Sequence, residues 1–151
     1  MTNYPNIDRL IPHRAPMLLV DRIVGEAGEL TRADYVIPAD CLFLTPGKGV
    51  PTYAAFEMMA QGICATDGLR RHRRGQEPKL GFLLGCRKFT ANRNWLQPGE
   101  TLTLESTCLI DGETSSYQCR VLDDAGAEVA SATVNVFQPD DIDAYLEGTK
   151  L

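Results

Sequence analysis

The chain has 151 residues, a length that fits one domain, so residues 1–151 are expected to form a single folded unit. Hydrophobic residues make up 44% and charged residues 23% of the sequence, which is ordinary for a globular protein. The formal net charge of -5 argues against nucleic acid as a partner, because phosphate binding favours a basic domain.

Cysteine usage and the N-terminal sequence both favour a cytoplasmic protein. The five cysteines are odd in number and no two have CxxC spacing, so free thiols are expected rather than disulfides or a zinc site. The two histidines are far apart in sequence, and no metal is expected. Residues 1–14 lack the pattern of a signal peptide, and no apolar run reaches the length of about 18 residues that a membrane helix needs.

The first part of the chain is predicted to hold a short helix and two strands. Apolar residues recur at helical spacing over residues 6–12, and Pro12 ends the pattern. The apolar run at residues 17–24 predicts a strand, and the alternation at residues 30–37 predicts a second. The glycine-containing segment between them is a turn, so the two strands should form a hairpin.

A long buried helix is predicted from Pro51 to about Arg71. Proline suits the first helical position, since it has no N–H to lose there. The segment is rich in Ala, Met, Gln and Leu, and apolar residues occur on every face, with the basic residues at the end. A helix of this kind must be covered on most sides.

Four β-like segments follow, each separated from the next by a turn containing Gly or Pro. They are predicted at residues 80–90, 101–110, 116–122 and 128–137. The acidic tail at residues 139–151 is expected on the surface. Six strands that curl around one long helix give an α+β domain, whose open sheet edges would be covered by pairing in a dimer.

Three segments in this order resemble the β-hydroxyacyl-acyl-carrier-protein dehydratases. They are IPHRAPMLLVDRIV at residues 11–24, FEMMAQ at 56–61 and LGFLLGCRKFTANRNWLQPGETL at 80–102. The GKGVPTY loop and the VFQPDD tail are most similar to a divergent branch, the second dehydratase-like subunit of bacterial aryl-polyene pigment clusters.

The resemblance implies a hot-dog fold, in which a curved antiparallel sheet wraps one central helix and subunits pair as dimers. It implies dehydration of a 3-hydroxyacyl thioester to the trans-2-enoyl thioester. The partners would be acyl carrier protein and a second hot-dog subunit, in a homodimer or a heterodimer. No cofactor is expected, because the substrate is carried on the 4′-phosphopantetheine arm of the carrier protein.

Glu57 and Gln61 are the candidate catalytic residues. A carboxylate inside an apolar helix costs several kcal/mol to bury as an ion unless it is paired, and a protonated carboxyl could protonate a leaving hydroxyl. The family carboxylate that matches Glu57 handles the substrate hydroxyl; the alternative is a structural role in a dimer interface. Gln61 lies four residues on, on the same helical face, where it could bind Glu57 or satisfy buried backbone.

The sequence departs from the family at the catalytic histidine, where ungapped alignment places Phe43. Lys48 is the only titratable side chain of that loop. His13 belongs to the PHR motif, for which a structural role is favoured, and it is also the possible substitute base. The helix start could offer N–H groups to the thioester carbonyl, but Thr52 replaces the usual family glycine. An isolated homodimer would therefore have acids without bases.

The remaining candidates concern the acyl chain and the carrier protein. The predicted tunnel residues are Met58, Met59, Phe82 and Leu84, although such apolar residues are often simply core. The predicted substrate-binding residues are Phe43, Thr52, Met58, Phe82 and Gly85. A basic cluster at the helix end is either a solvated terminus or a docking site for acidic carrier protein. Its members are Arg70, Arg71, Arg73 and Arg74.

Three functions stay open on this sequence. The first is a dehydratase subunit that needs a histidine-bearing partner. The second is a hot-dog thioesterase, in which Glu57 activates water. The third is a catalytically silent subunit that binds acyl carrier protein.

Overall fold

The computed structural model describes residues 3–79, 81–139 and 142–148. Single turns of 3-10 helix lie at Ile7–Arg9 and Thr52–Ala54. The strands are β1 (Arg22–Ala27), β2 (Leu30–Val36), β3 (Val50–Pro51), β4 (Phe82–Ala91), β5 (Trp95–Leu96), β6 (Thr101–Ile110), β7 (Thr114–Leu122) and β8 (Glu128–Phe137). The helices are α1 (Ala55–Arg73) and α2 (Ile142–Gly148).

Six strands form one antiparallel sheet in the order β1-β2-β6-β7-β8-β4, and α1 packs against β2, β6, β7 and β8. Met58, Met59 and Leu69 of α1 are at most 2% exposed. Burial of a side chain of this size stabilises the fold by about 1.5–3 kcal/mol. The predicted α+β architecture, a six-stranded antiparallel sheet around one long helix, is confirmed. The short pair β3–β5 was not predicted, because two-residue strands have no period to detect.

One end of α1 passes so close to the N-terminal segment that there is no room for a side chain at Gly68. A Cβ atom on Gly68 would overlap the backbone carbonyl group of Leu10. Gly62 also faces the sheet, but a Cβ there would lie 3.3 Å from the Ser106 hydroxyl oxygen, which can move. The glycine at position 68 therefore allows the helix to approach the Leu10 backbone closely.

The first predicted strand is displaced along the chain. The sequence predicts a strand at residues 17–24, whereas β1 begins at Arg22. The side chain of Gln61 gives the reason, since its Nε2 donates to the Met17 carbonyl oxygen (2.7 Å) and its Oε1 accepts from the Leu19 N–H (2.6 Å). These backbone groups bind a side chain of α1 instead of a neighbouring strand.

Other boundaries differ for local reasons. The helix predicted over residues 6–12 is only the 3-10 turn Ile7–Arg9. Pro51 does not start α1, because it pairs with Trp95 in the β3–β5 ribbon. The acidic tail contains α2, and its residues 143, 144 and 146–148 are exposed, as expected for a surface segment. Residue 80, the predicted start of a strand, and tail residues 140, 141 and 149–151 lie outside the described residues.

Candidate active site

Glu57 lies in the first turn of α1 and is half-buried. Its Oε1 accepts a hydrogen bond from Gln61 Nε2 at 3.0 Å. No other hydrogen bond to this carboxyl group comes from the described part of the chain. One oxygen is thus held by the protein, and the other remains available to a molecule in the adjoining cavity.

Gln61 is fully buried and uses both ends of its amide. The same Nε2 that donates to Glu57 also donates to the Met17 carbonyl oxygen, while Oε1 accepts from the Leu19 N–H. The residue therefore fixes the rotamer of Glu57 and ties it to the chain segment before β1. Both alternatives from the sequence, binding Glu57 and satisfying buried backbone, hold at once.

A cavity of about 190 Å³ runs beside this face of α1. Glu57, Ala60, Cys64 and Asp67 line it at intervals of three or four residues, so they share one face of the helix. Glu57 and Asp67 are ten residues apart, which is roughly 15 Å along the helix axis. The opposite wall includes paired residues of two strands, Leu83 of β4 and Val136 of β8.

The far end of the cavity is polar. Asp67 Oδ2 accepts a hydrogen bond from Gln138 Nε2 at 3.0 Å, and Lys79 Nζ approaches the Gln138 carbonyl oxygen at 3.4 Å. Tyr117 also lines the cavity, and burial raises the pKa of its hydroxyl. These residues were not predicted from the sequence. The one local signal was Asp67, a second carboxyl group on the Glu57 face of an apolar helix.

Cys64 lies between Glu57 and Asp67 but is not a nucleophile at neutral pH. Burial, together with the charges of Asp67 and Glu57, raises the pKa of its thiol to about 12. Since the thiolate is the reactive form, the side chain acts as a small apolar group in the cavity wall.

His13 is the second predicted site residue that the structure brings to this cavity. Its ring is half-buried, and its Nδ1 is buried without a hydrogen-bond partner among the described residues. Its structural role, in capping or packing, and its possible role as a substitute base both stay predictions.

The structure does not bring the predicted tunnel and substrate-binding residues to the cavity. Met58 is fully buried in the core, and Phe43 packs half-buried against the core. Phe82 alternates with the lining residue Leu83 along β4 and so faces the other side of the sheet. Met59, Leu84 and Gly85 are likewise absent from the lining. Their contact with a substrate stays a prediction.

The predicted anion site at the helix start is altered by the β3–β5 ribbon. Pro51 has no N–H, and the N–H of Thr52 donates to the Asn94 carbonyl oxygen at 3.0 Å. Thr52 is 2% exposed, and its Oγ1 has no partner within the described segments. The Thr52 N–H is therefore not available to a thioester carbonyl in this conformation.

Two of the four arginines at the basic end of α1 are paired with carboxylates. Arg73 binds Glu26 through two hydrogen bonds (2.9 and 2.7 Å), which hold the pKa of Glu26 below its usual value. Arg70 pairs with a carboxylate of the β1–β2 turn at 3.2 Å. Arg71 donates to a backbone carbonyl group, and Arg74 has no ion pair in the part of the chain that is described. The positive charge of the predicted docking cluster therefore rests on Arg71 and Arg74.

Two general features concern residues 3–79, 81–139 and 142–148 as a whole. No group of three His, Cys, Asp or Glu side chains there is placed to hold a metal ion. No helix within these segments is long and apolar enough to cross a membrane.

The sequence model of the ApeP-like family, described as ApeP dehydratase, matches residues 5–147. The 3-hydroxyacyl-[acyl-carrier-protein] dehydratase FabZ of Pseudothermotoga lettingae is 35% identical over 75 residues, which cover 49% of this chain and 53% of that protein. The match thus spans about half the length of this curated relative.

Solved structures show the same architecture. The dehydratase heterocomplex ApeI:P from Xenorhabdus doucetiae matches with a TM-score of 0.88 at 25% identity, over 98% of this chain and 100% of that chain. A hypothetical thioesterase from Streptococcus pneumoniae with coenzyme A matches with a TM-score of 0.59 at 14% identity, over 78% and 84% of the two chains. The second likeness concerns the fold alone.

Proposed function

Since the chain belongs to the ApeP-like dehydratase family, we propose that it is one subunit of a dehydratase that converts a 3-hydroxyacyl thioester on acyl carrier protein to the trans-2-enoyl thioester. The observation that carries the proposal is the Glu57 carboxyl group, which Gln61 orients at the wall of the cavity. The proposal needs no cofactor beyond the phosphopantetheine arm of the substrate carrier.

Glu57 is the general acid in the proposed step. It donates its proton to the oxygen at C3, the C3–O bond breaks, and water leaves. A base removes a proton from C2, and the electrons of that C–H bond form the double bond between C2 and C3. Before the next turnover, the base releases its proton to solvent and the Glu57 carboxylate takes one up.

The base comes from a partner subunit in this proposal. Phe43, at the position of the family histidine, packs against the core and cannot accept a proton. Lys48 of the same loop lies over the ring of Trp95, 5.5 Å from its centroid. A histidine-bearing hot-dog subunit would supply the missing group, and the likeness to a dehydratase heterocomplex supports this arrangement.

The open edge of the sheet supports a composite site as well. β4 is an edge strand, and its Leu83 and Leu84 are 42% and 58% exposed. Leu83 also lines the cavity, so a partner on this edge would extend the cavity wall. At about 190 Å³ the cavity is smaller than ligand pockets, which are commonly about 300–1,000 Å³, as expected for a site that one chain only half encloses.

The carrier protein would dock at the end of α1. Arg71 and Arg74 offer positive charge on a chain whose net charge is -5, and an acidic carrier is the complementary partner. A cytoplasmic location belongs to the same proposal, and the free thiols Cys41, Cys64, Cys86, Cys108 and Cys119 support it.

The test compares this chain alone with its complex with a histidine-bearing hot-dog dehydratase subunit. The substrate is a 3-hydroxyacyl carrier protein, and the product is identified by mass. General acid or base catalysis contributes about 10²–10⁴-fold, so the chain alone should be slower than the complex by that order. Glu57→Gln in the complex should cost at least about 10²-fold, while the exposed control Glu113→Gln should not change the rate.

Four outcomes would contradict the proposal in different ways. Full turnover by the chain alone would show that it holds its own base. Full activity of the Glu57→Gln complex would remove Glu57 as the acid. Release of a free carrier thiol instead of an enoyl product would identify a thioesterase, and binding without any product would identify a silent subunit.

A further inference from the structure

The open edge of the sheet carries positive charge on a chain that is acidic as a whole. β4 pairs with β8 on one side, and no strand of the described chain lies on its other side. Its charged residues are Arg87 and Lys88, both exposed and without an ion pair among the described residues. The sequence has no Asp or Glu between Glu77 and Glu100, although the net charge of the chain is -5.

The neighbouring strand does not neutralise these two cations. Arg87 lies opposite the uncharged residue Thr133 of β8. The one charged residue of β8 is Glu128, which already forms an ion pair with Arg120 at 2.9 Å. The positive charge of the edge is therefore left for a partner to meet.

Two irregularities limit the part of β4 with which a partner strand can pair. The register with β8 shifts between Leu83 and Gly85 and again between Arg87 and Thr90. Such bulges bend a strand and interrupt its ladder of hydrogen bonds. The regular stretch between them ends at Arg87, and Lys88 follows at once with a left-handed backbone (φ 54°). A strand that pairs with this stretch therefore lies beside both cations.

A second copy of this chain is a poor match for the edge. When two β4 strands pair, in any register, each cation meets only a cation or an uncharged residue, because β4 contains no acid. Paired strands lie about 4.8 Å apart, so the cations of a symmetric pair around the regular stretch lie within roughly 10 Å of one another, about one Debye length at 0.1 M salt. Like charges across paired strands are destabilising, and β4 therefore disfavours pairing with itself.

We propose that β4 pairs with the edge strand of a different hot-dog subunit, one that carries acidic residues opposite Arg87 and Lys88. The inference rests on the proposed function and deepens it by naming the chemistry of the partner edge. Leu83 and Leu84, which are 42% and 58% exposed, give the contact its apolar part, and the charges select the partner. Because Leu83 also lines the cavity, the charges select the subunit that completes the cavity wall.

A charge-reversed copy of this chain supplies an acidic edge for the test. Arg87→Glu combined with Lys88→Asp converts both cations to anions, and Asp tolerates the left-handed backbone at position 88. In sedimentation velocity, wild type mixed with this variant should pair about 10- to 100-fold more tightly than wild type pairs with itself. Added salt should weaken the mixed pair and strengthen wild-type self-pairing, because it screens attraction in the first and repulsion in the second.

The thiol of Cys86 reports whether the pairing takes place at β4. Cys86 is the exposed one among the five cysteines, so a thiol reagent should modify it in each chain alone and more slowly in the mixed pair. The control is Arg9→Glu combined with Arg74→Glu, which makes the same change in net charge at two exposed arginines outside β4. Wild type should pair with this control no more tightly than with itself.

A neutral variant, Arg87→Gln with Lys88→Asn, gives a second comparison where the charge-reversed chain does not fold, because it should self-pair more tightly than wild type. A mixed pair no tighter than the wild-type pair would overturn the inference, as would equal reactivity of Cys86 in the mixed pair and the single chains. Protection of Cys86 in wild type by acyl carrier protein would assign the edge to the carrier instead. None of these measurements involves turnover, so a well-paired complex that forms no enoyl product would refute the proposed function and leave the charge selection intact.

Discussion

Replacing Gln61 with leucine would remove the three hydrogen bonds that join its side chain to Glu57 and to the segment before β1. Leu19 is fully buried, so its N–H would be left without an acceptor and away from water. The Met17 carbonyl oxygen would lose its donor in a partly buried position. Leucine has about the same size as glutamine, so the change tests polar contacts rather than packing.

The cost can be worked out from these contacts. Each unsatisfied buried backbone group costs about 1–3 kcal/mol, and the extra apolar burial of leucine offsets about 1–2 kcal/mol. We therefore expect a loss of about 3 kcal/mol in the free energy of unfolding. For a domain of this length that corresponds to a fall in Tm of roughly 6–12 °C.

Urea unfolding followed by circular dichroism measures this loss, and Gln118→Leu is the matched control. Gln118 lies half-buried on β7, where its Oε1 accepts one hydrogen bond, from Thr133 (2.9 Å), so its replacement should cost less than about 1 kcal/mol. Equal stability of the two variants would refute the argument that Gln61 satisfies buried backbone. In the active complex Gln61→Leu should also slow dehydration, because Glu57 loses the donor that orients it.

The remaining predictions concern the packing of α1 and its basic end. Gly68→Ala should destabilise the fold by about 1–3 kcal/mol despite the better helix propensity of alanine, because its Cβ would overlap the Leu10 carbonyl group. The control Gly62→Ala should stay within about 1 kcal/mol of wild type in thermal unfolding, and equal losses in the two variants would contradict the close approach of α1 to Leu10. Arg71→Glu combined with Arg74→Glu should raise KM for carrier-bound substrate and flatten its salt dependence while leaving activity on a carrier-free thioester unchanged. An unaltered KM would indicate that this basic end is a solvated helix terminus and not a docking site.

The strands after α1 could be predicted closely because their turns are encoded locally. β6 and β8 have the predicted bounds, residues 101–110 and 128–137. In the turn before β8, Asp123 Oδ1 accepts hydrogen bonds from the N–H groups of Ala125 and Ala127, and Gly126 has a φ of 80°. Such short-range chemistry is visible in the sequence as a DDAG segment.

The segment before β1 could not be predicted because a distant side chain decides its conformation. The apolar run at residues 17–24 has the composition of a strand, but 42 residues separate Leu19 from the Gln61 amide that binds it. Local propensity is a weak guide where a buried polar group competes for the backbone. The same limit applies to the polar end of the cavity, since 71 residues separate Asp67 from Gln138.

The candidate site likewise combines local contacts, which the sequence predicts, with distant contacts, which it does not. Glu57 and Gln61 could be paired from sequence, because residues four apart on a helix must meet. The opposite wall requires the sheet, and its Leu83 lies on an edge strand that no strand of the described chain covers on its outer side. Since one residue belongs to both the cavity wall and the open edge, whatever pairs with β4 also shapes the cavity. The chemistry of the site therefore depends on which partner pairs with β4. An assay of the complex tests that chemistry more directly than an assay of the single chain.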